Sequence, residues 1–263
     1  MPFTSIDRAI DILGMFNIRK QELSALEISK QLRIPLSTTY KYLDTLLKKG
    51  FFSKDPSTKK YSLGISIFKM GIVAAEKISF VDITHPHMNS LAKKCGETVI
   101  LTVINGWEAL CVKEIESPRL VKLTVKQWAT IPLYAGASSK ILLAYQNDSF
   151  IDDLIKNTGL KPVNENTITD PVRLKEELTS IRNKGFATSK SEVDSGAGAI
   201  AAPIFDHKRK LVAGITIAGP DERLFNEDGQ KLIDMVKATA DKISFDMGYS
   251  REVINEPPLL DLQ

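Results

Sequence analysis

The chain has 263 residues, 43% hydrophobic and 25% charged, with a formal net charge of +3. That is the make-up of a soluble globular protein with length for one large or two ordinary domains. No apolar run approaches the ~18 residues of a membrane span, the start Met1-Pro-Phe-Thr-Ser-Ile-Asp-Arg8 lacks the regions of a signal peptide, and Cys95 and Cys111 form neither a disulfide framework nor a Cys-x-x-Cys metal knuckle, so the expectation is a reduced, cytoplasmic protein.

The charge is uneven. Residues 1–78 hold 13 Lys/Arg and 7 Asp/Glu, a balance of +6, whereas residues 79–263 hold 22 and 25, a balance of −3. A basic first third points to a polyanionic partner for that part alone.

In chain order, apolar residues at Ile6, Ala9, Ile10, Leu13 and Phe16 repeat with helical spacing. Ser24-Ala-Leu-Glu27 is a capping box, so a helix starts there and runs to about Leu32. The chain breaks at Ile34-Pro35. Ser37 is placed to cap the next helix, which runs to about Lys49 and stops at Gly50. Asp55-Pro-Ser-Thr58 is a turn between apolar flanks, which predicts a hairpin over 51–63 with Lys54, Lys59 and Lys60 around its tip. Residues 64–78 read as an amphipathic linker helix carrying Ile65, Ile67, Phe68, Ile72 and Val73.

Beyond the linker, a helix over Ile83–Lys94 ends at Gly96. Strands follow at Glu97–Ile104 and Ala109–Ile115, joined at the tight-turn pair Asn105-Gly106. A further strand is expected near Leu120–Val125. Helices are expected at Ser138–Tyr145, Phe150–Lys156 and Pro171–Lys184, strands at Phe186–Ser189, Ala199–Phe205 and Leu211–Ala218, and a closing helix at Asp228–Met247. Strands with helices inserted among them indicate an α+β domain around one sheet. Residues 251–263, with Pro257-Pro258, read as a flexible tail.

On a wheel of 100° per residue, Thr39, Leu43, Leu46 and Leu47 share one side of the second short helix. Ser37, Thr38, Lys41, Thr45 and Lys48 share the other. Hydroxyls and ammonium groups match phosphate oxygens and base edges. Helix, short turn, helix and lysine-tipped hairpin form a winged helix-turn-helix. The candidate DNA-binding residues are therefore Ser37, Thr38, Lys41, Thr45, Lys48, Lys54, Lys59 and Lys60.

The order of elements resembles the IclR family of bacterial transcription regulators. The matching pieces are Arg8–Phe16, Pro35-Leu-Ser-Thr-Thr-Tyr-Lys-Tyr-Leu43 with Leu46 and Gly50, and the wing Asp55–Gly64. Further along they are Gly96-Glu-Thr-Val99, Tyr134–Ala144, Ile200–Asp206 and Ile215–Pro220. The resemblance runs from about Ile6 to Met247. It implies a DNA-binding domain over 1–63, a linker helix over 64–78, and a GAF-like effector-binding domain with a central antiparallel sheet over 79–250. It also implies a homodimer or homotetramer on a pseudo-palindromic operator of double-stranded DNA, and a small-molecule effector. The family commonly has arginine where this chain has Lys41, and lysine cannot form the bidentate arginine fork.

The resemblance further implies an effector pocket lined by Leu123, Ile131, Ala137, Ser138, Ser189, Ala199, Thr216 and Ala218. The residues suit that role. Ala135-Gly-Ala-Ser-Ser139 precedes a helix, so its small side chains let a ligand approach backbone N–H groups. Thr216 and Ala218 fall on one strand face. A small organic acid is expected, held by N–H groups near Ala137 and Ser138 and by Ser189 and Thr216.

Catalytic readings fare poorly. Ser139 and Lys140 are adjacent on a helix and point about 100° apart, and Gly136-x-Ser138 lacks the second glycine of a nucleophile elbow. His85-Pro-His87 has no third metal ligand nearby and reads as a solvated helix start. Gly196-Ala-Gly198 precedes a strand, not the helix of a dinucleotide fingerprint. No cofactor, metal or catalytic residue is assigned. The alternatives are a ligand-binding protein or enzyme whose basic domain is not a DNA reader, and a winged helix that binds a protein partner.

Overall fold

A computed structural model describes residues 5–16, 20–75, 80–227 and 229–249, and the chain divides into two compact units, Met1–Ser79 and Phe80–Gln263. The expected tail over 251–263 and the end of the linker, 76–78, lie outside the described residues.

The first unit holds α1 (Ser5–Gly14), α2 (Ala25–Leu32), α3 (Leu36–Lys48), the hairpin β1 (Phe52–Lys54) and β2 (Tyr61–Leu63), and α4 (Ile65–Ala75). The capping box forms as its spacing predicts. The Glu27 N–H donates to Ser24 Oγ at 3.3 Å, and the Ser24 N–H donates to Glu27 Oε2 at 2.7 Å. Arg33 ends α2 in the left-handed region at φ 52°, and Ser29 Oγ donates to the Ile34 carbonyl at 2.7 Å, closing the turn.

Ser37 does not cap α3. The helix starts one residue earlier, at Leu36, because Pro35 takes the cap position with a φ of −56° suited to a helix entry and no side-chain cap bond. Thr39, fully buried, donates its hydroxyl to the Pro35 carbonyl at 3.2 Å. Ile12, Phe16, Leu23, Ile28, Leu43, Phe52 and Tyr61 pack into one core. Each fully buried apolar side chain of this size contributes about 1.5–3 kcal/mol. Gly64 permits the hairpin's exit, since a Cβ there would stand 2.3 Å from the Gly50 carbonyl oxygen. The amphipathic reading of the linker does not hold. At 100° per residue Ile65, Phe68, Met70 and Val73 spread around α4 rather than along one side, and all four are exposed.

The second unit is α5 (Phe80–Cys95), β3 (Thr98–Asn105), β4 (Glu108–Ile115), β5 (Thr130–Pro132), α6 (Ala137–Leu143), α7 (Asp148–Thr158), α8 (Pro171–Lys184), β6 (Ala187–Lys190), β7 (Ala197–Phe205), β8 (Leu211–Pro220), α9 (Asp221–Leu224) and α10 (Gly229–Asp246). The fold is α+β as expected. The strands form one antiparallel sheet in the order β5-β4-β3-β8-β7-β6. Most of its large side chains point one way, Ile100 being an exception on the other face. Val99, Leu101, Ile200, Ile204, Ile215 and Ile217 share a core with Met88 and Leu91 of α5 and Val236 and Ile243 of α10. The opposite face carries Ala199, Ala201, Thr216 and Ala218, residues too small to fill the space beneath α6.

Three local expectations are corrected. The β3–β4 loop is Gly106-Trp107, not Asn105-Gly106, because Asn105 still pairs with Glu108 and the positive φ of 61° falls on Gly106. Leu120–Val125 is not a strand, because side chains take its carbonyls: Thr98 Oγ1 donates to Leu123 O at 2.7 Å and Arg223 Nη2 to Val121 O at 2.9 Å. His85 and His87 lie inside α5 rather than at a helix start, with Pro86 between them. His87 Nε2 meets Asp246 Oδ2 at 2.7 Å, and among the described residues no cluster of metal-ligating side chains forms.

Candidate functional site

The leucine side of α3 faces the core, with Leu43 fully buried and Leu46 and Leu47 packed against it. That burial fixes the opposite face. Ser37, Lys41, Thr45 and Lys48 are exposed and Thr38 is half-buried. The Thr45 hydroxyl donates to the Lys41 carbonyl at 2.8 Å, so only its oxygen lone pairs remain for a ligand. Two exposed residues on this face escaped the sequence reading, Tyr40 and Asp44. On the wheel Asp44 falls between Ser37 and Tyr40. Strict spacing would have found both; the search for basic and hydroxyl groups passed over them.

The wing is held by Asp55. Its Oδ1 accepts the Ser57 and Thr58 N–H groups at 2.8 and 2.7 Å, and the Ser57 hydroxyl as well. Those bonds, the Ser57 hydroxyl foremost, lower its carboxyl to about 2. Lys59 follows in the left-handed region at φ 59°. Lys59 and Lys60 are exposed, while Lys54 Nζ lies 5.0 Å from the Tyr61 ring centroid.

In the second unit, all eight residues expected at a pocket line one cavity of about 270 Å³. Its floor is two cross-strand rows, Ser189–Ala199–Ala218 and Thr216–Ile100. Gly136, Ala137 and Ser138 form one wall, and Leu123–Lys126 with Val193 and Asp194 complete it. Gly136, at φ +79°, cannot carry a side chain cheaply: its Cβ would meet Val193 Cγ2 at 3.0 Å.

The expected free N–H groups at this helix start are mostly taken. Glu192 Oε2 accepts the Gly136 N–H at 3.1 Å, and Ser189 Oγ accepts the Ala137 N–H at 3.0 Å. A buried helix start satisfies its donors from nearby side chains. Among the described residues the Ser138 N–H has no hydrogen-bond partner. Thr102 Oγ1 donates to the Ser138 carbonyl at 3.0 Å. Thr216 Oγ1 is buried with no partner among the described residues.

Sequence reading missed the exposed lining residues Lys126 and Asp194 and the buried ones Thr102 and Cys111, because loops and distant strands meet only in the fold. Burial, with Glu114 nearby, pushes the Cys111 thiol up to about 11, so it lines the cavity as a neutral group. Lys140 is no base for Ser139. Its ammonium, fully buried, meets Glu192 Oε1 at 2.7 Å and Glu177 Oε1 at 3.2 Å.

Comparison with known proteins covers both units. Residues 73–245 match the family described as the bacterial transcriptional regulator IclR C-terminal domain, and residues 5–56 match the IclR helix-turn-helix domain. The chain is 32% identical to the HTH-type transcriptional regulator KipR of Bacillus subtilis, over 94% of this chain and 98% of that protein. It is 26% identical to the HTH-type transcriptional regulator KdgR of Escherichia coli, over 93% and 94%. Among solved structures, the Thermotoga maritima IclR is 31% identical over 93% of this chain and 99% of that one, with a TM-score of 0.62. Pseudomonas aeruginosa HmgR, 24% identical over 94% and 99%, shares the fold with a TM-score of 0.80.

Proposed function

The chain belongs to the IclR family of bacterial transcriptional regulators, and from that premise we propose that a small organic acid in the cavity of the second unit sets how tightly the winged helix-turn-helix holds its operator. Regulators of this family bind DNA; they are not enzymes. The observation that carries the reading is the meeting of eight residues spread over the sequence, Leu123 to Ala218, around one cavity with a buried, unpartnered hydroxyl.

In this reading Ser37, Thr38, Lys41, Thr45 and Lys48 face the major groove, and Lys54, Lys59 and Lys60 face flanking phosphates. Two copies of the chain, or two such pairs, sit on a pseudo-palindromic operator. A carboxylate is held by the Ser138 N–H and by the hydroxyls of Ser189 and Thr216. The acid acts only if it prefers one DNA-binding arrangement over the other, and α4 carries that preference along the chain toward the reading helix.

Ala199→Phe tests the reading. A phenyl ring in the cavity should remove the response to the acid and leave affinity for operator DNA intact. A full response in that variant would move the effector site elsewhere.

A further inference from the structure

After Leu36, the exposed residues of α3 are Ser37, Tyr40, Lys41, Asp44, Thr45 and Lys48. At 100° per residue they fill an arc of about 140°, with Tyr40 and Thr45 at its rims. Ser37 and Lys48 lie near the midline, and Lys41 and Asp44 stand about 30° to either side of it. Asp44 is the one acidic residue of the helix. Lys41 and Lys48 are within a turn of it, yet Asp44 forms no ion pair among the described residues. Toward the wing, the Lys54 ammonium is favoured first by Tyr61 and least by Asp44. The carboxylate is therefore presented outward, close to the middle of the face that the buried Leu43 sets against the core.

Lysines and hydroxyls on such a face suit phosphates and base edges alike, so they carry little information about sequence. A carboxylate carries more, because it only accepts hydrogen bonds. Phosphates repel it. So do guanine O6 and N7 and thymine O4, which are acceptors too. The donors open to it in the major groove are the cytosine N4 and adenine N6 amino groups. Adenine N6 lies between two acceptors, N7 of its own ring and O4 of the paired thymine. Cytosine N4 has an acceptor on one side alone, the paired guanine O6. Lysine ammonium groups on the same face suit that guanine, so a C·G pair satisfies both charges of the helix.

We propose that Asp44 is a specificity-determining residue that accepts a hydrogen bond from the N4 amino group of one cytosine in each operator half-site. The proposal rests on α3 being the reading helix, and it goes beyond that reading by naming a residue and its base.

Selection of DNA from a random pool by the full chain tests it, with Asp44→Asn and Asp44→Ala beside the wild type. The wild type should demand cytosine at one position of each half-site. Asp44→Asn should move that position to adenine, whose N6 and N7 match an amide, and leave the other positions as they were. Asp44→Ala should lose the preference there alone. On the selected operator, 2-pyrimidinone, which lacks the amino group, then replaces that cytosine. Wild-type affinity should fall about tenfold or more, as for a lost base contact, and Asp44→Ala should bind both DNAs equally. A selected motif that is the same in all three proteins would overturn the proposal and leave α3 as the reading helix. An equal loss on 2-pyrimidinone in wild type and Asp44→Ala would also overturn it, since the base would then act through duplex stability. A wild type that selects no motif would overturn the reading of α3 on which the proposal rests.

Discussion

Lys140 is the residue on which the cavity wall depends. Its buried ammonium joins α6 to Glu192, whose other oxygen holds the Gly136 N–H, and to Glu177 of α8. Removing one member of a buried ionic group leaves the others uncompensated, at a cost of about 3–5 kcal/mol. Lys140→Met should therefore lower the urea midpoint of the second unit sharply, and adding Glu192→Gln should recover part of the loss. Trp107 and Trp128, the two tryptophans of the chain, both report on that unit. An unmoved midpoint in the single variant would mean the network carries no stability. On α3 the prediction concerns choice of base. Lys59→Ala and Lys60→Ala should weaken binding to all sequences alike, whereas Lys41→Ala should blur operator preference. Asp44→Asn should change that preference, since a carboxylate only accepts hydrogen bonds and an amide also donates. Selection of DNA from a random pool by each variant reads this directly.

At the level of the element, the wing shows how much order one side chain can impose. Asp55 is lowered from 3.8 to about 2 by the bonds that fold the tip. A depressed carboxylate pKa gives a contribution that is full above the unfolded value and lost as pH falls through the folded one. Amide exchange at Ser57 and Thr58 should thus stay protected down to about pH 4 and open between there and about pH 2; Asp55→Ala should show the open behaviour at neutral pH. Protection unchanged in that variant would assign the turn to the backbone alone. This turn was legible in the sequence because its partners lie within three residues. The same holds for the Ser24–Glu27 capping box and for α8, which begins at Pro171 and is closed by Gly185. Leu120–Val125 was misread because what decides its shape is distant. Thr98 lies 25 residues from Leu123, and Arg223 lies 102 residues from Val121. Ser37 was misjudged as a cap for a local reason, the competing claim of Pro35. The pocket residues came from family resemblance rather than from spacing; the facing of Thr216 and Ala218 followed from strand alternation, but Lys126 and Asp194, on segments without periodicity, carried no signal.

For the whole molecule the division of charge sets the behaviour. The +6 of residues 1–78 should make DNA affinity fall with salt, by nearly one power of concentration for each phosphate neutralised. Affinity that stays flat between low and physiological salt would remove DNA from the account. The central claim is that occupancy of the cavity sets that affinity. Fluorescence anisotropy of the full chain on its selected operator, with and without a small organic acid that binds the wild type in titration calorimetry, measures this for the wild type and for Ala199→Phe. The account predicts a shift of at least about fivefold in operator Kd for the wild type, within the usual range of allosteric coupling, and none for the variant, whose ligand-free Kd equals that of the wild type; an equal shift in both proteins would contradict it.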